Sequence, residues 1–124
     1  MKTTLVLGAS ENPERYSNKA IRMLRKYKFP VKAIGKKIGR VEDIDIESEK
    51  KEYVDIDTVT MYLGEKHQAE YYDYLLTLKP RRIIFNPGAE NEELAEVAKA
   101  NGIEALEACT LVLLSTGQYD KVPY

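Results

Sequence analysis

Apolar residues along this chain fall into short continuous runs that alternate with amphipathic stretches. Thr3–Leu7 is apolar and β-branched without alternation and stops at Gly8, the pattern of a strand buried on both faces. Ser17 to about Lys28 instead sets Ala20, Ile21, Leu24 and Tyr27 on one helical face, with Ser17 positioned as its cap. Pro30 ends that helix, and Val31–Gly35 reads as a second strand. Asp57–Leu63 is a third strand. Glu65–Lys79 carries Tyr71, Tyr72, Leu75, Leu76 and Leu78 at helical spacing up to Pro80. Arg81–Phe85 is a fourth strand, followed by Asn86-Pro87-Gly88. Glu90–Ala100 predicts a helix with an acidic start, Leu94, Val97 and Ala98 inward, and Gly102 as its stop. Ile103–Ala108 is a fifth strand.

Two segments resist this reading. Lys36–Ile56 is highly charged, and Val41, Ile44 and Ile46 allow only an edge hairpin. Thr110–Ser115 is apolar but too short for periodicity to choose between helix and strand. Five strands alternating with three helices predict an α/β fold, a Rossmann-like three-layer sandwich around a mainly parallel sheet with right-handed crossovers. At 124 residues, with no repeat and no linker, residues 1–124 read as one domain.

Composition narrows the classes. No apolar stretch approaches the ~18 residues of a spanning helix, and Leu5-Val6-Leu7 is too short for a signal core, so no membrane role is expected. A single cysteine, Cys109, excludes a disulfide framework within the chain, and one histidine, His67, argues against a metal site. The cytoplasm is the expected compartment. The net charge of −1 conceals a split: residues 1–40 hold 11 basic and 2 acidic side chains, the remainder 8 and 18. Such asymmetry shapes which partners a surface attracts.

In open α/β sheets, ligands bind beyond the carboxyl ends of the strands where strand order switches. The loop Gly8-Ala9-Ser10-Glu11-Asn12-Pro13-Glu14-Arg15-Tyr16-Ser17 sits at such an end. A glycine there lets backbone N–H groups approach an anion, a helix start favours negative charge, and Arg15 supplies a fork of donors for phosphate oxygens. The G-x-G-x-x-G fingerprint is absent, because positions 10 and 13 are Ser and Pro. After the second strand the chain reads Gly35-Lys36-Lys37, with no acid before Glu42 to hold a ribose 2′-hydroxyl. Two lysines suit a phosphorylated ribose, as in NADP or coenzyme A, and equally suit a solvated loop. Tyr62 is placed to lie against an adenine ring or within the core, and Asn86 to bond a ligand amide or a neighbouring loop.

No catalytic constellation emerges. His67 stands alone, and no base or cation adjoins Cys109 in the sequence to activate its thiol, while Glu107 is a neighbouring acid. The basic face Lys19, Arg22, Arg25 and Lys26 has no interleaved stacking aromatics, so nucleic acid is not expected as a partner. Tyr71, Tyr72 and Tyr74 on one helix offer a surface for a homodimer.

Taken in order, Gly8-Ala9-Ser10-x-Asn12-Pro13-x-Arg15-Tyr16-Ser17, Ile34-Gly35-Lys36-Lys37-x-Gly39, Asp57–Leu63, Ile84–Asn91 and Cys109-Thr110-Leu111-Val112 resemble the small bacterial CoA-binding-domain proteins. These are single-domain relatives of the CoA-binding domain of the succinyl-CoA synthetase alpha subunit, and the resemblance covers nearly the whole chain. It implies that Gly8, Ala9, Ser10, Arg15 and Ser17 line the diphosphate side of a bound CoA. Gly35, Lys36 and Lys37 would meet the phosphoribose, Tyr62 and Leu63 the adenine, and Asn86, Pro87 and Gly88 the pantetheine arm. Many relatives carry Asn-Pro after the second strand where this chain has Gly35-Lys36-Lys37. The synthetase's phosphorylatable histidine has no counterpart. The expectation is therefore binding of CoA or an acyl-CoA without catalysis. The alternatives are a small NADP-linked or acyl-transfer enzyme using Cys109, and a protein-interaction module without a ligand.

Overall fold

Seven strands form one sheet in a computed structural model that describes residues 2–120. They are β1 (Thr3–Ala9), β2 (Val31–Gly35), β3 (Gly39–Val41), β4 (Ile44–Glu47), β5 (Ile56–Met61), β6 (Arg82–Phe85) and β7 (Glu104–Glu107). Their order is β3-β4-β2-β1-β5-β6-β7. Every neighbouring pair is parallel except β3–β4. The sheet thus has seven strands where the alternation of runs predicts five. The two additional strands are the edge hairpin: Val41, Ile44 and Ile46 turn inward while Arg40, Asp45 and Glu42 stay in water. With one face buried, two short strands can pair at an edge despite the charge of the segment.

Among the described residues, four α-helices cover the sheet. Helices α1 (Tyr16–Lys26) and α4 (Thr110–Ser115) lie on one face, over a core that includes Val6, Ile21, Leu24, Ala33, Ile84 and Leu114. Helices α2 (Tyr72–Leu78) and α3 (Glu92–Ala100) cover the other, over Leu5, Leu7, Val59, Leu75, Phe85 and Leu94. The alternation along β1, with Leu5 and Leu7 facing one way and Val6 the other, explains why this strand reads as continuously apolar.

Three expectations for the helices change. Helix α1 begins at Tyr16 with Arg15 at the capping position, and no side chain caps it, so Ser17 is not its cap. Tyr27 lies past the end of α1 and is exposed rather than inward. The stretch read as one helix over Glu65–Lys79 is two single 3₁₀ turns, Glu65–His67 and Ala69–Tyr71, followed by the short α2. Gln68 breaks it: fully buried, its side-chain amide donates to the carbonyls of Leu63 and Ala89 at 2.8 Å each and accepts from Asn91 Nδ2. Three neutral bonds to the loops after β5 and β6 outweigh an unbroken helix there. The undecided segment Thr110–Ser115 is helix α4.

Among the described residues no helix is long and apolar enough to cross a membrane, and no group of acidic, histidine and cysteine side chains is arranged to hold a metal. Tyr72 and Tyr74 spend their hydroxyls inside the chain, Tyr72 donating to Glu93 and Tyr74 to the Lys51 carbonyl.

Candidate functional site

The chain leaves β1, crosses by α1 to β2 on one side, and later returns to pair β5 on β1's other side. Strand order therefore reverses between β1 and β5. The carboxyl ends of these strands open onto a cleft of about 1010 Å³, which is at the upper end for small-molecule sites.

The loop after β1 forms one wall. β1 carries an irregularity between Leu7 and Ala9, where Gly8 adopts φ +100°. A Cβ there would sit 3.1 Å from the Leu63 backbone nitrogen, so the turn needs glycine both for its dihedral and for room. Beyond it, Ser10 Oγ accepts from the Asn12 N–H, Asn12 Oδ1 accepts from the Glu14 N–H, and Asn18 Nδ2 donates to the Ser10 carbonyl. These local bonds hold the loop in one shape ahead of α1. Because α1 is uncapped by any side chain, its first backbone amides remain available to an outside acceptor. Helix α3 is the contrast, its start closed by Asn91 Oδ1 accepting from the Leu94 N–H.

Beside this wall, Lys36 and Lys37 extend from the end of β2, both exposed, and with exposed Arg15 they put three cations at the cleft. Two acids share it. Glu11 is committed elsewhere, its Oε2 accepting from the Arg40 N–H at 2.8 Å and tying the loop to β3; Glu14 stays at the rim.

The floor comes from the ends of β5, β6 and β7. Tyr62 lines it with a buried hydroxyl that makes no hydrogen bond of acceptable geometry, although the Thr60 and Thr110 hydroxyls are close. Burial pushes this phenol far above its ordinary range, so it is a neutral donor. Asn86 is buried, with Nδ2 donating to Thr60 Oγ1 at 2.8 Å and to the Met61 carbonyl at 2.9 Å, while Oδ1 accepts from the Thr110 N–H. Its side chain is thus used up within the chain. Cys109, half-buried, lines the cleft beside Pro87 and Leu111.

Of the residues the sequence singles out, Gly8, Ala9, Ser10, Arg15 and Ser17 line the cleft, as do Lys36, Lys37, Tyr62, Asn86 and Pro87. Gly35, Leu63 and Gly88 do not. Gly35 is structural: a Cβ would lie 2.2 Å from the Ala9 carbonyl, so β1 and β2 could not approach. Leu63 packs against the α2–α3 core, and Gly88 turns outward with its N–H bonded to Glu90 Oε1. Glu11, Asn12, Glu14, Tyr16 and Leu111, none of them assigned a contact from the sequence, also line the cleft, together with Cys109. The place of Cys109 after the fifth strand already sets it near the ligand edge, and Leu111 follows it there.

A doubly wound, mainly parallel sheet with its cleft at the switch point, entered by a glycine turn and an uncapped helix start, defines a Rossmann-like α/β domain. The match of residues 2–115 to the CoA-binding domain family model places the chain in that family. A solved structure described as an uncharacterized protein is 44% identical, covering 95% of this chain and 98% of that chain with a TM-score of 0.92. A Thermus thermophilus structure shares the fold at 21% identity, covering 94% and 90% with a TM-score of 0.81. The Ca. Korarchaeum cryptofilum acetyl-coenzyme A synthetase 1, in complex with phosphate and ADP, shares it at 19% identity and a TM-score of 0.70. There the match covers 86% of this chain but 25% of the synthetase chain. Proteins with this fold therefore include archaeal as well as bacterial ones. No curated protein sequence matches the chain.

Proposed function

We propose that the cleft binds coenzyme A or an acyl-CoA and performs no chemistry by itself. The observation that carries this reading is the meeting of two loops at one cleft: the uncapped start of α1 with Arg15, and Lys36 with Lys37 at the end of β2. Backbone amides at a helix start suit a diphosphate, and a separate pair of cations suits a phosphate on the ribose. Membership of the CoA-binding domain family supports CoA as the cofactor, and the comparisons lend NADP no support. The donors present fit the group: three cations, the Ser10 and Ser17 hydroxyls, and room for a nucleotide with its arm. Tyr62 lines the floor and Asn86 holds the floor together.

Ligand-induced thermal stabilisation tests the reading with CoA, acetyl-CoA, dephospho-CoA, NADP, NAD and AMP. CoA at 100 times its Kd is expected to add ~2.7 kcal/mol, with a smaller response to dephospho-CoA. No response to any CoA species overturns it.

A further inference from the structure

A second depression of about 360 Å³ lies on the outer face of α1 beside the cleft. Lys19, Arg22, Met23 and Lys26 form its wall at offsets of three, four and seven residues, so one helical stripe carries all four. Leu111, at the start of α4, closes the other side and also lines the large cleft, so the two spaces adjoin. Met23 and Leu111 make the floor apolar.

The cations around that floor lack carboxylate partners. None of Lys19, Arg22 and Lys26 is in an ion pair among the described residues. Arg22 donates to neutral acceptors, Asn18 Oδ1 and the Pro13 carbonyl, and Lys19 lies over the Tyr16 ring. Like charges four apart, as at Arg22 and Lys26, cost helix stability. Arg25 shows the contrast on the same helix: off the stripe, it is held by both oxygens of Asp43. One arginine is paired, and three cations are left around an apolar floor next to a cofactor cleft.

Resting on the CoA reading above, the geometry points to an acyl subsite for ω-carboxyacyl thioesters. The methylenes of the acyl group lie on Met23 and Leu111, and its terminal carboxylate sits among Lys19, Arg22 and Lys26. From Lys19 to Lys26 the helix rises about 10 Å, at 1.5 Å per residue. That length accommodates several methylenes in extended form, whereas an acetyl group is too short to reach the far cations.

Titration calorimetry at low salt tests this with CoA, hexanoyl-CoA and adipoyl-CoA, the last two alike in chain length and different in the terminal carboxylate. Adipoyl-CoA is expected to bind on the order of fivefold tighter than hexanoyl-CoA, since exposed charge pairs are individually weak. The preference should shrink as salt is raised. The double variant Lys19→Glu/Lys26→Glu should abolish or reverse it, read as the ratio of the two acyl-CoA affinities so that any general weakening of the anionic cofactor cancels. Equal binding of the two acyl-CoAs, or a preference that survives the double variant, overturns the subsite and leaves the stripe to another anion, such as an acidic protein surface. Failure of CoA itself to bind overturns the reading on which the subsite rests, and is seen directly in the CoA titration.

Discussion

The side-chain carbonyl of Asn86 accepts a hydrogen bond at 2.9 Å from the backbone N–H of Thr110, joining the end of β6 to the first residue of α4. The amide nitrogen of the same side chain reaches across to β5, at Thr60 Oγ1 and the Met61 carbonyl, and the Thr60 and Thr110 hydroxyls bond each other at 2.7 Å. One buried amide thus fixes three chain segments that floor the cleft. Asn86→Ala would leave the Thr110 N–H without its acceptor and remove two further bonds. A loss of ~3 kcal/mol is expected in urea unfolding; a loss below ~1 kcal/mol would show that the network matters little to the floor.

Gly35 and Gly64 should respond oppositely to the same substitution. A Cβ at Gly35 meets the Ala9 carbonyl at 2.2 Å, backbone that can move only by separating β1 from β2. At Gly64 a Cβ meets nothing within 4 Å. Gly35→Ala is expected to cost more than ~2 kcal/mol and Gly64→Ala less than ~0.5 kcal/mol. Equal midpoints in chemical denaturation would refute the close approach.

Tyr119 closes the far end of the α1–α4 face. It is buried, packs edge-on to Phe29 with ring centroids 5.1 Å apart, shares a hydrogen bond with the Thr4 hydroxyl, and lies against the buried Arg82 guanidinium at 4.7 Å. Tyr119→Ala is expected to destabilise by ~3–5 kcal/mol, with Tyr119→Phe intermediate because it keeps the ring and loses the hydroxyl. Thermal unfolding of both variants checks the order; a Phe variant as unstable as the Ala one would assign the effect to the hydroxyl rather than to packing.

Acid should weaken the fold partly through Asp57. Burial works to raise its carboxyl, but bonds from the Arg81 guanidinium and the Thr58 hydroxyl outweigh that, so it sits below the ordinary carboxylate range. As pH falls, the unfolded chain takes up this proton before the folded one does, so stability rises with pH through that window. The contribution is complete above the unfolded value of about 3.9 and disappears as pH drops through the folded value. Asp57→Asn should flatten that part of the stability–pH curve. An unchanged acid slope in the variant would place the dependence on other carboxylates.

Lys36 and Lys37 are exposed at the cleft, so removing them should leave the fold intact and act on the ligand alone. The double variant Lys36→Ala/Lys37→Ala is expected to weaken CoA on the order of tenfold and dephospho-CoA much less. Calorimetric titration of both ligands reads this. An equal loss for both would move the two lysines away from the ribose phosphate.

Much of this architecture is legible because burial on both faces leaves a mark in the sequence. The unalternating runs at Thr3–Leu7 and Ile83–Phe85 read as strands since parallel strands covered on two sides have no polar alternation. The Gly8 turn, Arg15 and the two lysines were visible for a related reason: few residue types serve a sharp strand-to-helix turn or an anion. The break at Gln68 was not visible, because helical spacing continues across it and its cause is a pair of carbonyls, Leu63 and Ala89, that only the folded chain brings near.

The amino-acid sequence by itself thus determined the alternation of strands and helices, the glycine turn after β1 and the residue types that reach the cleft, all properties of local periodicity and side-chain chemistry. Tertiary structure decided how those residues divide. It consumed Asn86 in bonds among β5, β6 and α4, turned Leu63 into the core, and set Leu111 between the cleft and the basic stripe of α1. Each of these depends on partners far apart in the chain, and pairing over such separations follows from strand order and packing, which one-dimensional spacing does not encode.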